Sequence, residues 1–197
     1  NYFFLQLLPT IYIIAGCNGA GKSTAANVIL PQFLNCKEFV NADSIAAGLS
    51  PFQPDTVSFQ AGRIMLNRIK ELISERSTFA FETTLTTKSY VNIIKEAKAK
   101  KYKIVLFYFW LNSVELALAR IADRVKKGGH NIPKDVVIRR YTRSLENLLN
   151  LFMPICDKWY IKDNSSEIYS EVAKGRLSNS TRIYDNEKWN IINEYKN

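Results

Sequence analysis

Residues 16–23, with the sequence GCNGAGKS, constrain this chain more than any other stretch. They fit the pattern G-x-x-x-x-G-K-[S/T] of phosphate-binding loops. The apolar run 11–15 in front of them is typical of a buried strand, and residues 24–30 behind them have the pattern of a helix. A glycine turn without a ligand would not need a lysine and a serine after its last glycine. The sequence therefore predicts a nucleotide-binding loop between a strand and a helix.

The glycines of this loop have a physical role. Gly16, Gly19 and Gly21 permit backbone angles that a Cβ would forbid. Successive N–H groups then point inward and form an anion-binding nest at the positive end of the following helix. We expect Lys22 to reach the β- and γ-phosphates and the Ser23 hydroxyl to bind Mg²⁺. The predicted nucleotide-binding residues are Gly16, Asn18, Gly19, Ala20, Gly21, Lys22, Ser23 and Thr24.

Length and composition indicate one globular unit. With 197 residues, 47% of them apolar and 23% charged, the chain is long enough for a sizeable core, and we predict a single domain over residues 1–197. No apolar run approaches the roughly 20 residues that span a bilayer, and residues 1–8 lack the features of a secretion signal. The three cysteines show no metal-ligand spacing. The N–H dipoles around Cys17 favour a lowered thiol pKa, although a small loop residue is the simpler interpretation. We therefore expect reduced thiols, a cytoplasmic location and no membrane partner.

The net charge indicates anionic ligands. It is +9, from 27 Lys and Arg against 18 Asp and Glu. Such a surplus raises the local concentration of nucleotides, nucleotide sugars or nucleic acid. The basic residues are spread out, with a denser cluster between positions 120 and 143. This distribution suits a pocket for a small anionic substrate better than a tract along a nucleic-acid backbone, so nucleic acid is not the expected partner.

A second short strand is predicted at 38–41, just before Asp43. A carboxylate at the carboxyl end of a strand in a parallel sheet projects into the crevice where ligands bind. Asp43 also suits the N-cap of a short helix at 44–48, and the two roles are compatible. A predicted helix at 55–74 carries Arg63, whose side chain the sequence leaves open between substrate and solvent.

The predicted strand 78–84 becomes polar at its end. A carboxylate followed by hydroxyls suits hydrogen bonds to a polar substrate or to metal-bound water. The alternative is the β-propensity of threonine, with a helix cap at Thr86 or Thr87. The predicted substrate-binding residues are Asp43, Glu82, Thr83, Thr84 and Arg63.

Strands and helices alternate along the rest of the chain. Residues 102–110 are the most apolar segment and are predicted to lie near the centre of a sheet. A helix at 113–126 follows, with Ser113 as its N-cap and Val125 facing inward. A last central strand at 157–161 precedes a hairpin and a terminal helix within 167–197. This alternation predicts an α/β fold of the P-loop NTPase or kinase type, a mainly parallel sheet with helices on both faces.

A glycine-rich interruption at 127–133 separates the helix 113–126 from another at 134–153. We predict a lid over 124–143 that closes on the phosphates and excludes water. Closure would also bring guanidinium groups onto the charge that develops during phosphoryl transfer. A helix–turn–helix with solvated arginines is the alternative. The arginines of this region are Arg124, Arg139, Arg140 and Arg143.

Six short motifs occur in one order along the chain: GCNGAGKS (16–23), NAD (41–43), FETTL (81–85), RV (124–125), GGHNIP (128–133) and RRY (139–141). Together they resemble the zeta-toxin family of small P-loop kinases, in particular its short stand-alone bacterial members. The resemblance covers roughly residues 10–165. Many families share the phosphate loop, whereas its combination with the FETT strand and the GGHxIP lid is more specific.

The resemblance implies phosphorylation of a hydroxyl on a small nucleotide-containing molecule, with Mg²⁺ and ATP or GTP. In the best-known members the acceptor is the sugar of UDP-N-acetylglucosamine, and an antitoxin protein is a possible partner. By this resemblance Asp43 is the catalytic carboxylate, and residues 82–84 contact the substrate. The lid arginines correspond to Arg124 and to either Arg139 or Arg140, of which we take Arg140. Lys22 completes the predicted catalytic set.

Two features depart from the family pattern. No separate strand ends in a Walker B aspartate, because 102–110 runs into Leu111 and Asn112. Mg²⁺ would then rest on Ser23, nucleotide oxygens and water, with Asp43 or Glu82 as further ligands. The chain is also shorter after the lid than the larger toxins, which leaves the acceptor open.

Two other functions stay open at this point. The charge of +9 is also compatible with a nucleic-acid end kinase, whose binding would depend strongly on salt. A nucleotide-switched interaction module without transfer activity is the other alternative. The lid arginines argue against a switch, because a pure switch usually borrows its arginine from a partner.

Overall fold

The computed structural model describes residues 8–129, 131–177 and 180–196. His130 of the predicted lid motif and residues 1–7 of the N-terminal segment lie outside the described residues. The strands are β1 (Thr10–Gly16), β2 (Phe39–Val40), β3 (Phe79–Thr83), β4 (Lys103–Trp110), β5 (Lys158–Asp163), β6 (Ser170–Arg176) and β7 (Thr181–Ile183). The helices are α1 (Lys22–Phe33), α2 (Ala42–Leu49), α3 (Ser58–Ser74), α4 (Ser89–Ala99), α5 (Val114–Lys126), α6 (Lys134–Asn147) and α7 (Asn186–Asn193).

Within the described residues, seven strands form one sheet in the order β2-β3-β1-β4-β5-β6-β7. The strands β1 to β5 run parallel, and β6 and β7 are antiparallel additions. Strand β4 lies in the middle, and every residue after Lys103 in it is buried. A continuous apolar strand is typical of a parallel sheet that is covered on both faces. The predicted α/β fold with a mainly parallel sheet is confirmed, as is the central position of 102–110.

The parallel strands bring their carboxyl ends to one edge of the sheet. The phosphate loop follows β1, and Asn41 follows β2. Glu82 is the second-to-last residue of β3, and Asn164 directly follows β5. Because ligands bind at this edge in open parallel sheets, these residues surround the candidate active site.

Asn41, and not Asp43, is the N-cap of α2. The Asn41 Oδ1 accepts hydrogen bonds from the N–H groups of Asp43 at 2.8 Å and Ser44 at 3.2 Å. An asparagine side chain satisfies two N–H groups that the helix itself leaves without a partner. Asp43 is therefore released from capping and lies exposed in the first turn, where the helix dipole favours its charge.

Several helix boundaries differ from the predicted ones. The helix expected at 55–74 begins with a 3₁₀ turn, Pro54–Val57, and becomes α-helical in α3. A proline fits the first position of such a turn because its missing N–H is not needed there. The helix expected to reach position 153 leaves α-helical geometry after Asn147 and continues as a π-helical turn, Leu148–Phe152.

One side-chain expectation is wrong. Val125 is 37% exposed instead of facing inward, because the whole last turn of α5 lies in solvent. The N-cap position of α4 is Lys88, whose side chain makes no capping bond, while the Thr87 Oγ1 accepts from the N–H of Ser89, the first residue of α4, at 3.3 Å. The predicted N-cap of α5 is confirmed, since Ser113 Oγ accepts from the N–H of Leu116 at 3.2 Å. None of the described helices is both long enough and apolar enough to cross a bilayer.

Candidate active site

The phosphate loop adopts the backbone that its glycines predict. Gly19 and Gly21 have φ values of +80° and +75°, in the left-handed region that favours glycine. A Cβ at Gly21 would lie 2.6 Å from the Asn164 Nδ2, and one at Gly19 would lie 2.9 Å from the Ala117 carbonyl oxygen. The neighbouring elements therefore close around the loop so tightly that no side chain fits at either position.

Asn164, at the carboxyl end of β5, contacts the phosphate loop directly. Its Nδ2 donates a 2.8 Å hydrogen bond to the Ala20 carbonyl, and its backbone N–H donates to the Trp110 carbonyl. Beside it, the buried Asp163 accepts from the Ser165 N–H and forms a 3.1 Å ion pair with Lys188 of α7. Sequence reasoning did not assign these residues a role, although a polar turn at the end of a parallel strand was the available signal.

Glu82 is the centre of a charged network at the start of α1. Its Oε2 accepts from the Ser23 Oγ at 2.7 Å and from the Asn41 Nδ2 at 2.8 Å. Its Oε1 lies 3.7 Å from the Lys22 Nζ, which also donates to the Cys17 carbonyl at 2.9 Å. Lys22 is buried, so its charge is balanced by this carboxylate and carbonyl. Glu82, predicted to contact substrate, therefore lies beside the phosphate-binding lysine and serine.

Two oxygen-bearing side chains fit a magnesium ion here. The Ser23 hydroxyl and the Glu82 carboxylate are adjacent, and hard oxygen ligands are those that Mg²⁺ prefers. Among the described residues, no group of three or more His, Cys, Asp or Glu is arranged to hold a metal. The protein thus offers few ligands, which is typical of an ion that keeps waters and shares the oxygens of a nucleotide.

Two cavities meet at the phosphate loop. The smaller, about 190 Å³, is lined by Lys22, Glu82, Thr83 and Thr84 among others. The larger, about 570 Å³, lies between α2, the turn Pro54–Val57 and the lid. The residues that line both are Asn18, Asp43 and Arg140. The cavities therefore form one cleft from the phosphate loop to the lid.

Asn18 lines this cleft and carries an unpaired acceptor. Its Oδ1 is buried and has no hydrogen-bond partner among the described residues. A buried polar atom without a partner is rare in proteins and calls for an explanation. A role of Asn18 in nucleotide binding stays a prediction.

The two threonines after Glu82 differ in what their hydroxyls do. Thr83 Oγ1 accepts from the Leu85 N–H at 3.0 Å, and Leu85 has a positive φ of 58°. This bond stabilises the turn that follows β3. The Thr84 and Thr86 hydroxyls are hydrogen-bonded to each other at 2.9 Å. Both threonines line the smaller cavity, but Thr83 has a structural contact that the sequence did not predict.

The lid begins at a glycine cap of α5. The N–H groups of Gly128 and Gly129 donate to the carbonyls of Val125 and Arg124, both at 2.9 Å, and Gly128 has a φ of +82°. This is the αL type of helix end that glycine favours. Arg124 before this cap, and residues 131–133 and Arg140 after it, line the larger cavity.

The structure separates the predicted arginines. Arg124 and Arg140 line the cleft, whereas Arg139 is exposed and, like Arg63 on α3, is not among the described residues that line either cavity. Arg140 is thus the better candidate for the second lid arginine, and the structure does not bring Arg63 to the site. Of the other predicted loop residues, Gly16 and Ala20 are buried, while Thr24 is exposed on α1.

Three buried polar contacts attach α6 to the sheet. The Tyr141 hydroxyl donates to the Leu111 carbonyl at 2.6 Å, and the Ser144 and Tyr108 hydroxyls are 2.9 Å apart. The Asn147 Nδ2 donates to the Leu85 carbonyl at 2.6 Å. Since these residues recur every three positions, they share one helix face. The second half of α6 is therefore fixed to the edge of the sheet that carries the site.

Cys17 does not have the lowered pKa expected from its loop position. Burial raises the pKa of its thiol to about 11, and the nearby Lys22 and Arg120 charges and a backbone hydrogen bond offset this only in part. The desolvation of a thiolate in this buried site outweighs the loop dipoles. Of the two interpretations, the simpler one, a small buried loop residue, fits this position better than a reactive cysteine.

Comparison with known proteins places the chain in a family. The Zeta toxin family model matches residues 4–188. An uncharacterized protein of Haemophilus influenzae is 36% identical over 128 residues, which cover 64% of this chain and 88% of that protein. Two structures share the fold at low identity. The AvrRxo1-ORF1:AvrRxo1-ORF2 complex with sulphate ions has a TM-score of 0.74 at 16% identity, covering 93% of this chain and 63% of the matched chain.

The second structure belongs to the PezAT chromosomal toxin–antitoxin system of Streptococcus pneumoniae, with a TM-score of 0.65 at 15% identity, covering 96% of this chain and 79% of that one. The AvrRxo1 complex is also known with ATP, at 17% identity. At these identities the structures support the fold, and the family match supports kinase activity in general without naming the acceptor. Since the family model matches residues 4–188, nearly the whole chain, the chain belongs to the zeta toxin family.

Proposed function

We propose that this protein is a kinase that transfers the γ-phosphoryl group of ATP or GTP to a hydroxyl of a small nucleotide-containing metabolite. UDP-N-acetylglucosamine or a related nucleotide sugar is the first acceptor to test. One observation carries the proposal: Asn18, Asp43 and Arg140 line both cavities, so a phosphate-binding cavity opens directly onto a second, larger one. A phosphoryl donor and an acceptor need such adjoining sites, because transfer depends mainly on positioning and charge stabilisation.

Asp43 is the proposed base. Its carboxylate would accept the acceptor proton as that oxygen attacks the γ-phosphorus and the nucleoside diphosphate leaves. The release of Asp43 from capping by Asn41 and its place at the junction of the two cavities support this role. A carboxylate in hydrogen-bond reach of the hydroxyl typically contributes 10²–10⁴-fold to the rate, by order of magnitude.

The phosphate side of the cleft supplies positive charge. Lys22 and the loop N–H groups would hold the β- and γ-phosphates, and Arg124 and Arg140 would neutralise the transferred group. Ser23 and Glu82 would hold Mg²⁺, which supplies charge neutralisation across the phosphates when bound. Because both arginines belong to this chain, the arrangement favours transfer over a nucleotide switch that depends on a partner's arginine.

The size and lining of the larger cavity fit a metabolite. Its volume of about 570 Å³ lies within the range of small-molecule sites, roughly 300–1,000 Å³. Apolar groups such as Ile132 and Val136 line it together with Asp43 and the two arginines. That combination suits a molecule with an apolar or aromatic part and an anionic part. An antitoxin partner is also proposed, because two structural relatives are described as a complex and as part of a toxin–antitoxin system.

The test is transfer of labelled phosphate. A bacterial metabolite extract and purified nucleotide sugars are incubated with the protein, Mg²⁺ and γ-¹⁸O-labelled ATP or GTP, and products are identified by mass spectrometry. We expect one acceptor to gain labelled phosphate with the intact protein and to gain none with Asp43→Ala or Asp43→Asn. Nucleotide affinity, measured by calorimetry, should be nearly unchanged in both variants. Full transfer by Asp43→Asn, or nucleotide binding without any labelled acceptor, would contradict the proposal.

A further inference from the structure

A second basic cavity lies away from the cleft, on β5, β6 and β7. We name its main residues the basic sheet face: Lys158, Tyr160, Lys174, Arg176 and Arg182. They line a cavity of about 310 Å³ together with residues that include Ser180 and Thr181. Lys158 pairs with Arg176 across β5 and β6, Tyr160 pairs with Lys174, and Lys174 pairs with Arg182. Residues directly opposite in a sheet point to the same face, so these side chains share one surface.

This face is displaced from the phosphate loop both along and across the sheet. The loop follows the carboxyl end of β1, whereas Lys158 is the first residue of β5, which runs parallel to β1 and β4. By strand register Lys158 is level with Tyr12, four residues or roughly 13 Å before Gly16 at about 3.3 Å per residue. In the order of the sheet, β5, β6 and β7 lie two, three and four strands away from β1. The basic sheet face is therefore a separate surface from the candidate active site.

The charge on this face is compensated only in part, because Glu171 of β6 forms its 3.4 Å ion pair with Lys162, outside the cavity lining. Two cross-strand pairs, Lys158 with Arg176 and Lys174 with Arg182, place like charges opposite each other, which destabilises a sheet. Among the described residues that line the cavity, none is acidic. The Lys103 ammonium, partial burial and Arg176 lower the pKa of the Lys158 amine. A bound anion that neutralises these cations would explain why four basic side chains lie so close together.

Aromatic rings lie among these cations. Tyr160 lines the cavity and stacks on Phe107, with ring centroids 4.9 Å apart. The Tyr184 ring is 41% exposed, with the Lys174 Nζ 5.1 Å and the Arg182 Cζ 5.0 Å from its centroid. An acidic peptide would need only the cations. Rings placed between cations are typical of surfaces that hold a phosphate backbone and stack bases.

We propose that the basic sheet face binds single-stranded nucleic acid, with the cations on the phosphates and the tyrosines against the bases. The proposal is independent of the kinase function. It also changes the expectation drawn from the spread of charge along the sequence. The cations at 158, 174, 176 and 182 are distant in the sequence, and only strand pairing brings them together.

The test is oligonucleotide binding measured by fluorescence anisotropy over a range of salt concentrations. Labelled RNA and DNA single strands of about 12 nucleotides are used. A non-hydrolysable ATP analogue with Mg²⁺ fills the phosphate loop, so that binding at the cleft does not contribute. We compare the intact protein with Lys158→Gln/Arg176→Gln/Arg182→Gln. The control, Lys37→Gln/Lys70→Gln/Lys95→Gln, removes the same charge from exposed positions elsewhere.

We expect the basic-face variant to lose at least tenfold in affinity. The slope of log affinity against log salt concentration should become shallower by about one for each phosphate contact removed. The control should bind nearly as the intact protein does. Tyr160→Leu, which keeps apolar packing on Phe107, should weaken binding at least fivefold through lost stacking. Nucleotide binding at the cleft should be unchanged in all variants. The basic-face variant should melt no lower than the intact protein, because it removes two pairs of opposed like charges.

Three outcomes would overturn the proposal. The first is the absence of measurable oligonucleotide binding by the intact protein. The second is an equal loss in the two triple variants, which would show an effect of net charge alone. The third is competition by polyglutamate as effective as by oligonucleotide at equal charge, which would identify the face as a site for acidic protein segments.

Discussion

Arg139 and Arg140 are neighbours on α6 and provide a matched pair of substitutions. Arg140 lines both cavities, whereas Arg139 is exposed and is not among the described residues that line them. Successive residues of a helix point about 100° apart, so the two guanidinium groups cannot serve the same site. Alanine is at least as good a helix former as arginine, so neither substitution weakens α6 through its helix propensity.

The size of the effect follows from the role. An arginine that neutralises the transferred phosphoryl group is worth roughly 10³–10⁵ in rate, or about 4–7 kcal/mol of transition-state stabilisation. We expect Arg140→Ala to lower kcat by that range with little change in KM. Arg140→Lys should recover part of the loss, since an ammonium keeps the charge but not the planar fork. Arg139→Ala should stay within about twofold of the intact protein, as surface substitutions usually do.

Steady-state kinetics of γ-phosphoryl transfer to the identified acceptor, with both substrates varied, measures these changes. Similar losses in Arg139→Ala and Arg140→Ala would refute the geometric assignment. A raised KM with unchanged kcat in Arg140→Ala would refute the transition-state role, because it would show binding that is equal in the ground state and the transition state.

Three further predictions concern the network, the lid support and the loop. Glu82→Gln should raise the Mg²⁺ concentration needed for half-maximal transfer about 10- to 100-fold, since it removes the carboxylate beside Ser23; an unchanged Mg²⁺ dependence would contradict this. Ser144→Ala should cost about 1–3 kcal/mol in urea unfolding by leaving the buried Tyr108 hydroxyl without its partner, and adding Tyr108→Phe should cost much less than a second such loss; additive costs would contradict it. Cys17 should react with iodoacetamide at neutral pH about a hundredfold more slowly than a thiol with the ordinary pKa of 9.0, as followed by mass mapping; equal rates in the native and the urea-unfolded protein would contradict it.

Local pattern was enough to predict much of this fold. The glycines, lysine and serine of the phosphate loop lie within the eight consecutive residues 16–23, so their spacing alone specifies the strand–loop–helix unit. The position of β4 followed from its uninterrupted apolar sequence, because only a strand covered on both faces can be apolar throughout. The order of motifs indicated the family, which the family match confirms.

Pairings between distant residues could not be predicted in the same way. The Ser23–Glu82 bond joins positions 59 apart, and the Asn164–Ala20 bond joins positions 144 apart. Polar residues at strand ends indicated that their side chains meet at one edge of the sheet. They did not indicate which hydroxyl or amide would hydrogen-bond to which partner. The capping error at α2 has the same origin, since Asn41 and Asp43 are both favoured cap residues. The cation pairs of the basic sheet face depend on strand register, which the sequence does not specify.

The anchoring of α6 changes how the lid is expected to work. From the sequence, closure brings the arginines onto the phosphates. In the structure, Arg140 directly precedes Tyr141, whose hydroxyl is bonded to the Leu111 carbonyl, and moving it away would break buried hydrogen bonds that cost about 1–3 kcal/mol each when left unmade. Arg124, by contrast, lies in the exposed last turn of α5, where its carbonyl accepts the local capping bond from the Gly129 N–H. The backbone of Arg140 is therefore held by the buried bonds of α6, and the segment before it is left to close over the acceptor. We expect this segment to exclude water through Ile132, Pro133 and Val136, which line the larger cavity, with the backbone position of Arg140 set before the substrate binds.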